Sequence, residues 1–281
     1  MLALPSGGYV WNGRIVKGEG RVRQVNDRRA PTVFNAALQF KAHWRGDREN
    51  VESQASQAAT GPASFGNPDN ASTISNVKAI RGYRELFQQA IPAEPDPVTI
   101  GNWVKAIAYE RTLLTPSRFD EYLAGDLEGL SEPERQGLRT CMDTGCSGCH
   151  NGVVVGGAMF RRFGVAEDDW KETGSKEVDK GRFDVTNNPA DMYVFKVPGL
   201  RNVAMTPPYF HDGSARTLPE AVRIMAKVQL GKTLSDQDTN AIVRFLGSLT
   251  GKVPANFATA PVLPTGGFAP VSGVDTTRVT K

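Results

Sequence analysis

A chain of 281 residues, 40% apolar and 22% charged, is long enough for one or two domains with a buried core. Its 33 basic and 30 acidic residues leave a charge of +3 without a polybasic block, which argues against nucleic acid as a partner, and three cysteines are too few for a disulfide-stapled miniprotein. No apolar run reaches the roughly eighteen residues of a membrane span, and 29 glycines with 18 prolines make the chain loop-rich but globular.

In chain order, Met1-Leu2-Ala3-Leu4-Pro5-Ser6-Gly7-Gly8 has neither the charged n-region nor the apolar h-region of a secretory signal. Residues 1–30 read as extended or looped, and an apolar-leaning stretch follows through Phe34, Ala37, Leu38 and Phe40 to His43 and Trp44. The Ser, Ala, Gly, Asn and Gln of residues 53–72 read as a surface loop. Ser75 to Ala90 reads as one helix, with Val77, Ile80, Tyr83, Leu86 and Phe87 near helical spacing, and Pro92, Pro95 and Pro97 break the chain after it. Ile100, Trp103, Val104, Ile107 and Ala108 then mark a second helix.

The capping pattern Ser131-Glu132-Pro133-Glu134 starts a helix towards Met142, and Thr217-Leu218-Pro219-Glu220 starts another through Ala221, Val222 and Met225. Ser235, with Asp238 three residues on, caps a third, whose stripe is Ile242, Phe245, Leu246 and Leu249 and which ends at Gly251 and Pro254. Between these lie loops over 151–205, with short extended pieces at Val153-Val154-Val155 and Tyr193-Val194-Phe195. The pattern is mainly α and loop-rich, with lobes at 1–115 and 116–253 and a surface tail at 254–281.

Cys146-Ser147-Gly148-Cys149-His150 is C-x-x-C-H, the attachment pattern of c-type haem. Two thiols at this spacing reach the two vinyl groups of one porphyrin, and the adjacent histidine turns its imidazole to the iron. A thioredoxin-like reading would want a strand before the motif, where a helix is predicted. A structural zinc site would have only His43, His211 and Cys141 left to complete it. Cys141 reads as a buried apolar thiol. Local spacing does not choose the sixth iron ligand, for which Met142, Met159, Met192, Met205, Met225, His43 and His211 are candidates, Met142 being too near the motif to cross the porphyrin edge.

The sequence resembles the bacterial di-haem cytochrome c peroxidases and their MauG-like relatives over about residues 26–253. The resemblance is carried by Ala30-Pro31-Thr32-Val33-Phe34-Asn35-Ala36-Ala37, Ala106-Ile107-Ala108-Tyr109-Glu110-Arg111-Thr112-Leu113 and Phe119-Asp120-Glu121-Tyr122-Leu123. Further blocks are Asp179-Lys180-Gly181-Arg182-Phe183, Phe195-Lys196-Val197-Pro198-Gly199-Leu200-Arg201-Asn202-Val203 and Thr206-Pro207-Pro208-Tyr209-Phe210-His211-Asp212-Gly213, followed by Ala221-Val222-Arg223-Ile224-Met225. It implies a cytochrome-c-like haem lobe plus a partial second lobe. Cys146 and Cys149 match the covalent attachment of the electron-receiving haem, His150 its proximal and Met225 its distal ligand. Trp44 matches the tryptophan between the two haems, the carbonyls of Thr206 and Pro208 match calcium ligands, and His211 matches a residue with a hydrogen-bonding role.

The departures are equally specific. The family's first C-x-x-C-H falls upstream of Ala30, yet no cysteine precedes Cys141 and no histidine precedes His43. Arg29 stands where the family carries the asparagine that completes the calcium site, and a guanidinium coordinates no cation. Asn70 falls where the family has an acid assisting O–O cleavage, and an amide is no acid at neutral pH unless Asp69 substitutes. Trp44-Arg45-Gly46-Asp47 replaces the usual Trp-Asp-Gly-Arg.

One function that follows is electron transfer through one His/Met-ligated haem c per chain. Another is a peroxidase or MauG-like oxidase whose peroxidatic lobe is missing from the sequence or supplied by another chain. A third keeps the haem as a structural staple in an assembly subunit. The implied partners are a small electron donor (cytochrome c or cupredoxin), a chain carrying the second haem, and a second copy in a homodimer. Haem c attachment implies a periplasmic location.

Overall fold

The computed structural model of the chain describes residues 28–61, 64–175, 177–254 and 257. The expected looped start and C-terminal tail therefore lie almost wholly outside the described residues. Those described form two compact units, Arg28–Val51 with the described residues from Glu110 to Phe257, and the described residues of Glu52–Tyr109.

In the smaller unit, helices α1 (Val51–Ala58), α2 (Asn70–Ala79), α3 (Arg81–Ala90) and α4 (Ile100–Ile107) follow one another. Part of the segment read as a surface loop is thus helical. Ala55, Ala58 and Ala59 are buried at helical spacing, and a stripe made of alanine has strong helix propensity but little hydrophobic signal. The helix read from Ser75 to Ala90 is two helices. Ile80 leaves the helical region (φ −94°, ψ 101°), its N–H closing α2 on the Val77 carbonyl and its own carbonyl accepting from Tyr83 at 3.0 Å to open α3. Asp69 caps α2 by accepting from the Ser72 N–H at 2.6 Å. Trp103 on α4 packs edge-on against Phe65, with ring centroids 5.7 Å apart.

The larger unit holds α5 (Arg118–Leu123), α6 (Glu132–Thr144), α7 (Asp169–Thr173), α8 (Phe183–Thr186), α9 (Leu218–Leu230) and α10 (Asp236–Ser248). The starts of α6, α9 and α10 coincide with the capping residues Ser131, Thr217 and Ser235. The described sheet is one short antiparallel pair, β1 (Phe160–Arg162) and β2 (Val194–Lys196), with Phe160 opposite Lys196. Val153–Val155, expected to be extended, is instead a turn, with Val155 at φ 54°.

The core of this unit joins Phe119, Leu130, Cys141, Ile242, Phe245, Leu246 and Leu249, so α6 and α10 form its central pair. Gly137 sets their separation, because a Cβ there would stand 2.0 Å from the Ala241 carbonyl oxygen. The segment 30–44 is tied down by a buried polar knot. Asn35 donates to Thr115 Oγ1 at 2.7 Å and accepts from the Thr115 N–H at 3.0 Å. Asn202 also donates to Thr115 Oγ1, at 2.7 Å, and accepts from the Gly251 N–H.

Gly137→Ala must push α6 and α10 apart, and overpacking of this kind costs about 2 kcal/mol. The expected result is a lower urea midpoint with an unchanged slope. A wild-type midpoint would show that the helix pair is not closely seated there.

Candidate functional site

Helix α6 ends on Gly145 in the left-handed region (φ 105°), whose N–H closes onto the Met142 carbonyl at 2.9 Å. The chain then makes a single 3-10 turn, Cys146–Gly148, and the His150 N–H returns to the Cys146 carbonyl at 2.9 Å. One turn therefore presents both motif thiols and the imidazole together. Asn151 donates its amide to the Ser147 carbonyl at 2.9 Å, and Lys232 caps the Thr144 carbonyl at 2.7 Å.

The His150 ring is half-buried with its Nδ1 enclosed, and desolvation pushes its pKa down to about 4, while the flanking Val155 and Pro198 carbonyls oppose that shift. Neither carbonyl makes a full hydrogen bond to Nδ1. The imidazole is neutral at pH 7, the form in which histidine ligates a metal. Close backbone approach makes room for it. Gly156, at φ 127°, lies where a Cβ would come within 2.3 Å of the Pro198 oxygen and 3.2 Å of His150 Nδ1.

Cys146, Cys149 and His150 open onto a cavity of about 300 Å³ within the larger unit. Met225, Trp44 and Thr206 also line it, whereas Pro208 does not. Of the eight residues matched through the resemblance, seven, His211 among them, thus line one cavity. Of the described methionines, Met225 alone lines the cavity; Met142 and Met205 are exposed elsewhere. His43 and His211 also line it, but each is engaged. His43 Nδ1 lies 3.2 Å from the Asp47 carboxylate. His211 stacks on Phe195 at 4.5 Å, and its Nε2 is 3.8 Å from Asp179. Trp44 donates Nε1 to the Arg29 carbonyl at 2.8 Å and packs edge-on to His211.

The lining is apolar, with Leu200, Val203, Leu230, Ile242 and Leu246 among it, and among the described residues it includes Arg29, Arg161, Arg162 and Lys196 but no aspartate or glutamate. A porphyrin is a flat apolar body bearing two carboxylates, so an apolar cavity with cations and no competing acids fits it. Lys196 was not singled out individually as a site residue from the sequence. Its ammonium is buried, donates to Gln39 Oε1, and is pushed down to about 8 by burial. A lysine between two buried apolar residues, Phe195 and Val197, is the sequence signal for it.

The Thr206 carbonyl does not fit calcium as it stands. The Thr206 carbonyl accepts from Arg29 Nη2, and no group of three metal-binding His, Cys, Asp or Glu side chains occurs among the described residues. Asp69 accepts the Ser72 N–H through Oδ1 as the cap of α2.

Arg201 fastens the far wall. It donates Nε to the Val153 carbonyl at 2.7 Å and both terminal nitrogens to Asp120, which also accepts from the Ser117 N–H at 2.7 Å. The Arg201 hydrogen bonds, helped by Ser117, hold Asp120 down to about 2.

The family model for di-haem cytochrome c peroxidases matches residues 7–128. The cytochrome c551 peroxidase of Pseudomonas aeruginosa is 43% identical over 238 residues, covering 82% of this chain and 67% of that protein. The cytochrome c551 peroxidase of Nitrosomonas europaea is 39% identical over 237 residues, covering 84% and 68%. A solved MauG-like protein associated with microbial copper homeostasis superposes with a TM-score of 0.71 at 24% identity, covering 89% of this chain and 83% of its own. The chain belongs to the di-haem cytochrome c peroxidase family, whose members are c-type haem redox proteins.

Because the folded pKa of Asp120 is depressed, its pairing contributes stability above the unfolded carboxylate pKa of about 4, and that contribution is lost as pH falls from there towards 2. Asp120→Asn is expected to cost about 1–2 kcal/mol at pH 7, allowing for solvent screening, and to flatten the acid limb of stability against pH. An acid limb as steep as the wild type's would contradict this assignment.

Proposed function

We propose that the chain is a c-type haem redox protein that moves single electrons through one His/Met-ligated haem. Haem c, when bound, supplies a one-electron iron couple. Cys146 and Cys149 would hold it by thioether bonds, so its retention would not depend on the iron ligands. His150, neutral in its half-buried setting, would supply an imidazole ligand to the iron, and Met225 would supply a thioether ligand. A thioether opposite an imidazole raises the potential relative to two imidazoles. The leucine, valine and isoleucine lining excludes water, and the cations balance the porphyrin carboxylates. The observation that carries the reading is that Met225 is the one described methionine on the cavity that also takes Cys146, Cys149 and His150.

The proposed donor is a small cytochrome c or cupredoxin, and the proposed location is the periplasm, since haem c is attached outside the bacterial cytoplasm. Among the described residues no helix is long and apolar enough to cross a membrane. A second reading, peroxide reduction or a MauG-like oxidation with the peroxidatic haem supplied by another part or chain, is favoured by Trp44. Its indole is fixed in the cavity wall by the Arg29 carbonyl, a position from which it can relay electrons. Self-association into a homodimer fits either reading.

Met225→Ala should abolish the weak sulfur-to-iron charge-transfer band and lower the reduction potential; an unchanged spectrum would reassign the ligand. A peroxide assay with a reduced small cytochrome separates the two readings. No turnover by the purified chain is expected of the electron carrier, and sustained turnover would contradict it.

A further inference from the structure

Arg29 is fixed at three points. Its N–H donates to the His211 carbonyl at 2.7 Å, its carbonyl accepts the Trp44 indole N–H at 2.8 Å, and its Nη2 donates to the Thr206 carbonyl, with the Pro207 carbonyl at 3.4 Å. Its Nε is buried without a hydrogen-bond partner among the described residues. Burial pushes the guanidinium down to about 10, so it keeps its charge at neutral pH. Among the described residues no aspartate or glutamate lines the cavity.

We propose that the Arg29 guanidinium is a built-in cation occupying the position of a bound calcium, joining the Arg29–Trp44 segment to the Thr206 loop and making the site independent of that metal. Two physical arguments support this. Calcium needs six to eight oxygen ligands, and the Thr206 carbonyl is already committed to an N–H donor. A divalent ion brought to the same carbonyl would also meet a like charge within a few ångströms, a repulsion that a part-buried setting screens poorly. A tethered cation cannot be lost by dilution or chelation.

The inference rests on the haem reading only for its effect on potential. Calcium titration reads the Thr206 site whether or not Met225 ligates the iron, so the two can fail separately. The experiment uses the haem-loaded chain after dialysis against EGTA, with calcium chloride as titrant and thermal midpoint and haem reduction potential as readouts. The wild type should show no saturable calcium binding and the same midpoint in calcium as in EGTA. Arg29→Asn should lower both midpoint and potential and acquire one calcium site that restores them. Arg29→Lys, which keeps a cation on a flexible stem, should retain a near-wild-type potential without calcium. One stabilising calcium bound by the wild type would overturn the proposal, as would an Arg29→Asn protein identical to wild type in midpoint and potential. Should Arg29→Asn fail to fold, the lysine variant decides the matter. A potential lowered in Arg29→Lys despite its charge would reject the cation role, and a wild-type potential would uphold it.

Discussion

A neutral, half-buried imidazole in an apolar cavity whose described residues include cations but no carboxylates is the constraint on which the site depends. Burial alone would make His150 a poor base and Lys196 and Arg29 reluctant cations, and each departs downward from its ordinary pKa. Such an arrangement is costly in an empty pocket. It becomes favourable when a ligand brings an electron-pair acceptor for the imidazole and negative charge for the cations. An iron porphyrin brings both, so the electrostatics of the cavity and the chemistry of the motif point to the same group.

The rest of the larger unit serves to hold that cavity open and in register. The close seating of α6 on α10 at Gly137 fixes the line along which α6 delivers Cys146 to His150. The second wall comes from β2 and the turn after it, where Gly156 lets the Pro198 carbonyl approach the His150 ring. Arg201 then couples that wall to α5 through Asp120, and the Asn35–Thr115–Asn202 knot brings the 30–44 segment against it. Deleting a single member of such a network costs more than its own hydrogen bond, because the partners stay buried and unpaired.

Much of this was legible from sequence where the determinants are local. The motif spacing is imposed by one porphyrin, and the starts of α6, α9 and α10 are marked by Ser131, Thr217 and Ser235 beside their own helices. What escaped is non-local or chemically quiet. The knot joins side chains 80 residues apart in sequence, and the Arg29 bond to Thr206 spans 177. The stripe of α1 is built largely of alanine, which composition cannot separate from a loop. The break at Ile80 is invisible to periodicity, since Ile80 belongs to the apolar pattern it interrupts. Resemblance matched Met225 to the distal ligand; among the described methionines, the cavity wall separates it from those exposed elsewhere.

The central claim is best tested by counting. Absorbance of the alkaline pyridine complex, set against protein concentration and intact mass, should give one covalently held porphyrin on each polypeptide, with the added mass mapping to the peptide that contains Cys146 and Cys149. A chain that emerges colourless from a host able to mature c-type cytochromes, or one carrying two porphyrins, would contradict the account.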